Sequence, residues 1–206
     1  MNNSTATIAV GSLPEAMAVN PVTNKIYIAN CGLACGGGSP GSVTVIDGTN
    51  NSTATVAFST GPVVVAVNPL TNKIYTANAA SNDVTVIYGT NNSTKTVAVG
   101  TTPQAVAVNP VTNKIYVAND DSNDMTVISG DDNTTATVAA GIGPIAVAVN
   151  PVTNKIYVAN NGAGNNVTVI DGTNNTTATV AAGIGPIDVA VNPVTNKIYV
   201  ANNGAG

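Results

Sequence analysis

Histidine, arginine and tryptophan are absent from this 206-residue sequence, and glutamate occurs once, at Glu15. Without histidine, the chain cannot build a Ser-His-Asp triad, a histidine general base or a histidine-bound metal. A single glutamate excludes a glutamate pair of the glycosidase type, although paired aspartates remain possible. No glycine-rich loop precedes a helical pattern, so no phosphate-binding loop is predicted. These absences favour a protein that is not an enzyme.

Charge is also scarce, because only 8% of the residues are charged and the formal net charge is −4. Binding to nucleic acid requires clustered cations that displace counterions from phosphates, and the six scattered lysines argue against it. No apolar run approaches the ~20 residues of a membrane helix, and no signal peptide is visible. We therefore expect neither a nucleic-acid partner nor membrane insertion.

The sequence is dominated by an internal repeat. The string NP-x-TNKIY recurs at spacings of 48, 41, 41 and 42 residues, beginning at Asn20, Asn68, Asn109, Asn150 and Asn192. The 31-residue segments 134–164 and 176–206 differ only at Ala146 and Asp188. Self-similarity at such a period indicates a repeat architecture, in which near-identical units adopt near-identical structures.

Each repeat predicts four short strands, which we name a to d from the central axis outwards. In the fourth copy these are 144–150, 156–160, 167–170 and 176–182, all rich in β-branched residues and separated by Asn-Pro and Asp-Gly turns. Four antiparallel strands every 41–42 residues match one blade of a β-propeller. A β-solenoid usually repeats at shorter periods, and a sandwich has no reason to repeat its sequence. We therefore predict one all-β propeller domain over residues 1–206, with repeats at about 12–59, 60–100, 101–141, 142–183, and 184–206 joined by 1–11.

These repeats resemble a known family. The segments IYVAN at 156–160 and VTVID at 167–171, followed by TATV and VAVNP, resemble the YVTN-family β-propellers of microbial surface-layer and other extracytoplasmic proteins. The resemblance extends over essentially the whole chain. It implies a propeller, commonly of seven blades, with a structural or adhesive role at the cell surface or outside the cell.

The number of strands raises the question of ring closure. The pattern predicts a d strand at Ser4–Val10, four complete a-b-c-d sets, and strands a and b of a fifth set. We expect a five-bladed ring closed by an incomplete blade, and the alternative is a partial ring from a larger, seven-bladed propeller. A partial ring leaves open strand edges, which recruit a protein partner or a second copy of the chain.

Two cysteines lie in the only sizeable insertion, CGLACGGGSPG, in the b–c loop of the first repeat. In an oxidising compartment, Cys31 and Cys35 would close a small disulfide loop. The alternative is a pair of free thiols. Two ligands alone are too few for a zinc site.

One face of the propeller carries the d–a and b–c loops, and it is expected to be acidic. At its centre, strand a varies between copies in its second or third position, which makes Glu15, Gln104 and Asp188 candidates for binding at the channel mouth. Neutral drift at exposed positions explains the same variation. The opposite face carries the lysines of the TNK turns.

Two further motifs occur in loops. Asp120, Asp121 and Asp124 place three carboxylates in one b–c loop, where oxygen ligands would suit calcium, although aspartate is also an ordinary turn former. Glycosylation sequons recur at the c–d turns, at Asn3, Asn51, Asn92, Asn133 and Asn175. Turn chemistry copied with the repeat explains them equally well.

The leading hypothesis is a non-enzymatic structural or interaction module of a cell-surface or secreted protein, which provides a rigid scaffold for protein contact or self-assembly. The alternative is a propeller that binds a small ligand or a glycan at its channel mouth. Apart from a calcium ion, no cofactor is expected.

Overall fold

A computed structural model of the chain describes residues 5–33, 35, 39–58 and 60–204. Within these ranges the chain forms strands and turns but no helix. The described residues therefore contain no helix that could cross a membrane. The first two blades contain β1 (Pro14–Asn20), β2 (Lys25–Asn30), β3 (Gly41–Asp47) and β4 (Thr53–Phe58), then β5 (Val64–Asn68), β6 (Lys73–Asn78), β7 (Asp83–Tyr88) and β8 (Ser93–Ala98). The next two contain β9 (Pro103–Asn109), β10 (Lys114–Asn119), β11 (Asp124–Ser129) and β12 (Thr135–Ala139), then β13 (Pro144–Asn150), β14 (Lys155–Asn160), β15 (Asn166–Asp171) and β16 (Thr177–Ala181). The fifth blade contains β17 (Pro186–Asn192) and β18 (Lys197–Asn202).

Within each blade, every strand pairs antiparallel with the next one along the chain, which gives four four-stranded sheets and a two-stranded fifth sheet among the described residues. The a–b turn shows why the repeat forms this hairpin. Asn150 Oδ1 accepts hydrogen bonds from the backbone N–H groups of Val152 and Thr153. Asn154 then adopts the left-handed backbone, with φ 52°, which asparagine tolerates better than most residues.

The core lies between successive blades rather than inside any one of them. One face of each sheet carries the repeated tyrosine, and it packs against the isoleucine-rich face of the next sheet. Between the third and fourth blades, for example, Tyr116 and Met125 pack with Ile156 and Ile170, and all four are fully buried. Burying side chains of this size contributes about 1.5–3 kcal/mol each. The inner strands β1, β5, β9, β13 and β17 follow one another in space, so the blades are arranged as a β-propeller.

Polar contacts between blades repeat with the sequence. The asparagine that ends each of the first four inner strands donates through Nδ2 to the asparagine of the next blade's a–b turn, at 2.8–2.9 Å, in the pairs Asn20–Asn72, Asn68–Asn113, Asn109–Asn154 and Asn150–Asn196. The lysine that begins strand b donates to a glycine carbonyl in the next blade's c–d turn, in the pairs Lys25–Gly89, Lys73–Gly130 and Lys114–Gly172. Geometry between neighbouring blades is therefore fixed by both apolar and polar contacts.

The two ends of this array do not meet through a shared sheet. Residues 5–10 form no strand, although the sequence predicts a d strand at Ser4–Val10. A d strand needs a c strand beside it, and no described residue provides one next to β18. The prediction of an all-β propeller is confirmed. Residues 5–10 do not form the expected closing strand, because no strand among the described residues lies beside them to share hydrogen bonds.

Candidate functional site

Backbone contacts from two sides hold the start of the b–c loop of the first blade. The backbone N–H of Cys31 donates to the carbonyl of Leu13 at 3.0 Å, and Gly32 donates to Ser12 at 3.2 Å. On the other side Gly61 lies so close that a Cβ there would come within 2.1 Å of the Cys31 carbonyl oxygen. Cys31 is consequently fully buried although it lies at the start of a long loop.

Cys31 and Cys35 form a disulfide, with their Cα atoms 5.1 Å apart, and Cys35 is exposed. Glu15 lies beside them, because a bulge follows Pro14 in the pairing of β1 with β2. Its Oε1 is 3.8 Å from Cys31 Sγ and 3.1 Å from Cys35 Sγ. Two sets of residues that the sequence suggested separately, the channel-mouth carboxylate and the cysteine pair, therefore form one cluster. Their placement on the same face of the propeller was the signal for it.

The other channel-mouth candidates lie in two different settings. Gln104 occupies the same bulge position as Glu15, since Pro103 pairs with Asn119 and Ala105 with Ala118. It lines a cavity of about 450 Å³ together with residues of the first three blades. These residues are Cys35, Val63, Ala79, Ala80, Asn82, Thr101 and Thr102. Asp188 is one position further along its strand, opposite Ala201, and belongs to the last blade. The structure thus brings Glu15 and Gln104 to equivalent places in their blades and leaves Asp188 apart from them.

The three aspartates of the third b–c loop have different partners. Asp124 Oδ1 accepts from Asn119 Nδ2 at 2.7 Å, and Asp121 accepts from the Thr102 hydroxyl. The pKa of Asp120 is raised, mainly because burial disfavours its charge and secondly because Asp121 is nearby. Among the described residues, the group of potential metal ligands whose atoms converge is Glu15 with the two cysteines. Calcium binding by Asp120, Asp121 and Asp124 stays a prediction.

The sequon asparagines occupy equivalent turns, and Asn3 lies outside the described residues. The other four have left-handed backbones, with φ between 59° and 65°, and each donates its N–H to the carbonyl four residues earlier, at Asn51, Asn92, Asn133 and Asn175. Asn51 is exposed, and the other three are half-buried. Glycosylation at these turns stays a prediction.

The c–d turns also hold carboxylates whose charge is stabilised. Hydrogen bonds from Thr134, first from its backbone N–H, lower the pKa of Asp132 to about 2. The pKa of Asp171 is lowered to about 2, chiefly by its 2.7 Å hydrogen bond with Lys155. The blade that follows Lys155 has no described c–d turn. Lys155 forms a salt bridge with Asp171 of its own blade instead. Acidic groups therefore offset the lysines on this face.

Both ends of the blade array expose apolar side chains whose internal equivalents are buried or half-buried. Met17, on the first inner strand, is 69% exposed, whereas the equivalent Val65 is 6% exposed. Tyr199, in the last blade, is 58% exposed, whereas the equivalent Tyr116 is fully buried. Beside the last blade, an apolar cavity of about 380 Å³ is lined by residues that include Val169, Val180 and Ile198.

Comparison with solved structures supports the propeller fold. Hydrazine synthase from Kuenenia stuttgartiensis is similar with a TM-score of 0.77 at 22% identity, over 97% of this chain and 58% of that chain. A functionally unknown protein from Desulfotomaculum acetoxidans gives 0.73 at 17% identity, over 92% and 65%. A chain of a nidogen/laminin complex gives 0.70 at 11% identity, over 93% and 73%. At these identities the similarity shows the fold alone, and the chain spans about three fifths of the first two structures.

Comparison by sequence identifies the family. No curated protein matches this chain. Residues 2–145, which include the first three complete repeats and the cysteine loop, match the sequence model of the Choice-of-anchor I domain. The match covers more than half of the chain, and the described sheets have the arrangement of propeller blades. This β-propeller chain belongs to the Choice-of-anchor I domain family.

Proposed function

We propose that the chain is a non-enzymatic structural and interaction module of a cell-surface or secreted protein, and that it contacts further propeller blades through its two open ends. The family's description as a choice-of-anchor domain suggests a surface-associated module. The resemblance of the repeats to YVTN-family propellers supports the same location. For this chain in solution, the occupant of each open end is a second copy.

The observation that carries the proposal is the complementarity of the two ends. Inside the chain, the same pairing of a tyrosine face with an isoleucine face occurs four times. The last blade presents the tyrosine face with Tyr199, and the first blade presents the partner face with Met17 and Val19. A head-to-tail contact between two copies would therefore repeat an interface that the chain already forms, at least for the inner strands.

Polar groups at the two ends match in the same way. Asn192 and Lys197 of the last blade are the counterparts of the asparagines and lysines that donate across internal interfaces, and in the described structure neither donates to another blade. Asn24 and the Gly48 carbonyl of the first blade are the counterparts of the acceptors. A second copy would pair Asn192 with Asn24 and Lys197 with Gly48.

The mass in solution tests this proposal. Light scattering of the wild-type chain is expected to show species larger than a monomer whose fraction rises with concentration. Replacing Met17 and Val19 with aspartate would bury charge in the contact and should give a monomer. The control is Val111→Asp, which changes an equally exposed valine in an a–b turn away from either end and should leave the association unchanged. A wild-type chain that stays monomeric at every concentration would overturn the proposal.

A second candidate function is recognition of a small ligand or glycan, and the cavity beside Gln104 favours it. That cavity combines amide and hydroxyl groups with alanine and valine side chains. A glycan array is the direct test, with Gln104→Ala beside the wild type. Binding that is lost in the variant would support this function, and an array without hits would argue against it.

A further inference from the structure

Glu15, Cys31 and Cys35 form a cluster of three potential ligands that the function proposed above does not use. One ligand atom from each, Oε1 and the two Sγ atoms, lies within 4.8 Å of both others. The cluster combines a buried sulfur, Cys31, with two exposed groups, so that it is anchored in the protein and still open to solvent. It lies in the first blade, at the end of the β1–β2 hairpin that is away from the lysine-bearing a–b turn.

The donor atoms suit a particular class of ion. In a tetrahedral zinc site, with Zn–S of about 2.3 Å and Zn–O of about 2.1 Å, the sulfur-to-oxygen separation is about 3.5 Å. In the disulfide form the two separations are 3.8 Å from Cys31 Sγ and 3.1 Å from Cys35 Sγ to Glu15 Oε1, so one carboxylate oxygen lies close to both sulfurs. When the disulfide opens, the two sulfurs move apart to about 3.8 Å, the separation of two thiolates on one tetrahedral zinc. Thiolates select soft or borderline cations such as Zn²⁺ over the hard cations Ca²⁺ and Mg²⁺.

Backbone contacts that do not involve the disulfide hold Cys31 beside the segment that contains Glu15. Cys31 and Gly32 are hydrogen-bonded to Leu13 and Ser12, in the segment that leads directly into Glu15. Gly61, in the connection between β4 and β5, packs against the Cys31 carbonyl. None of these contacts involves a sulfur atom, so we expect them to keep Cys31 next to Glu15 when the sulfur–sulfur bond is opened.

We propose that the reduced pair Cys31 and Cys35, together with Glu15, binds one zinc ion per chain, and that oxidation to the disulfide abolishes the site. Reduction by a dithiol transfers two electrons and two protons to the disulfide, and the dithiol becomes a disulfide itself. Zinc then displaces both thiol protons and is held by two thiolates and one carboxylate. Water fills the fourth position on the exposed side. The site is therefore gated by redox state.

Cobalt is the probe for the experiment, because Co²⁺ bound to thiolates has charge-transfer absorption that Zn²⁺ lacks. The full chain is reduced with a phosphine, freed of reductant without oxygen and titrated with Co²⁺, and Zn²⁺ is then added in competition. The reduced wild type is expected to bind one Co²⁺ with thiolate absorption and to release it to one Zn²⁺. The oxidised chain should show no such absorption.

Variants separate the three ligands. Glu15→Gln should weaken zinc binding about tenfold or more, because it replaces an anionic ligand with a neutral amide. Asp188→Asn is the matched control, since it removes another exposed carboxylate of an inner strand, and its affinity should equal that of the wild type. Cys35→Ser should abolish the thiolate absorption of a Co²⁺–dithiolate site while circular dichroism shows an unchanged β-fold.

Two results would overturn the proposal. One is a reduced wild-type chain that takes up no stoichiometric Co²⁺ or Zn²⁺. The other is a Glu15→Gln variant that binds zinc as tightly as the wild type, which would exclude the carboxylate from the site. Neither result decides whether the head-to-tail contact forms, because that contact is measured separately as the mass in solution.

Discussion

Asn109 and Asn154 lie in adjacent blades, and Asn109 Nδ2 donates to Asn154 Oδ1 over 2.9 Å. Asn109 is fully buried, and its own Oδ1 also accepts from the backbone of the a–b turn that follows it. One side chain thus stabilises a turn and joins two blades. Its equivalent in the last blade, Asn192, makes the turn contact but has no described partner in another blade.

This difference gives a matched pair of variants. Asn109→Ala removes the turn contact and leaves the Asn154 acceptor without its donor, so it should lower the free energy of unfolding by about 1–3 kcal/mol. Asn192→Ala removes the turn contact alone and should cost clearly less. Urea denaturation of both variants, at concentrations where the chain is monomeric, measures the difference. Equal losses would show that the bond between blades contributes nothing.

The buried tyrosines predict how stability falls in alkali. Burial, and secondly the charge of Asp171, raise the pKa of Tyr116 to about 12, and burial also raises the pKa of Tyr27 and Tyr75. Because the folded pKa lies above the ordinary value of 10.0, this contribution is complete below pH 10 and is lost as the pH rises towards 12. Tyr116→Phe should make the free energy of unfolding fall less steeply in that window. An unchanged slope in the variant would contradict the assignment.

The c–d turns predict the behaviour in acid. Asp132 and Asp171 have folded pKa values of about 2, below the ordinary 3.8, so their contribution to stability is present above pH 3.8 and is lost as the pH falls through 2. Carbon NMR of the carboxyl groups should give both midpoints near 2. In Lys155→Met, the pKa of Asp171 should rise while that of Asp132 stays, since Thr134 rather than lysine stabilises Asp132. A rise at both sites, or at neither, would refute these causes.

The sequence predicted most of the fold because the repeat reports the same local structure five times. Strand a of the fourth copy was predicted at residues 144–150 and is Pro144–Asn150 in the structure. Strands b to d of that copy differ from their predicted bounds by one residue at each end or less. Turn chemistry explains this agreement, since Asn150 and Asn154 carry the geometry of the hairpin within a few residues.

Two features depended on partners distant in sequence and were not predicted correctly or fully. Residues 5–10 match the d-strand pattern, but a strand exists only when a neighbour shares its hydrogen bonds, and the described part of the chain places no c strand beside them. The convergence of Glu15 with Cys31 and Cys35 depends on a bulge in β1 and on a loop packed against Gly61. Neither the bulge nor the close packing has a signal in the spacing of the cysteines.

Cross-linking between defined ends tests the proposed head-to-tail contact most directly. Inside the chain, the strand-b lysine reaches the glycine carbonyl of the next blade's c–d turn, as Lys114 reaches Gly172 over 2.7 Å. Between copies, Lys197 should therefore approach Gly48 and its exposed neighbour Thr49. Lys197→Cys and Thr49→Cys are made as separate variants, with the Cys31–Cys35 disulfide kept closed, and treated with a short bismaleimide.

A heterologous contact joins different surfaces of the two copies, so each variant alone should give little cross-linked dimer. The mixture of the two variants should give abundant dimer, and the Met17 and Val19 aspartate substitutions, introduced into the Thr49→Cys variant, should abolish it. A mixture that yields no more dimer than the separate variants would contradict the account.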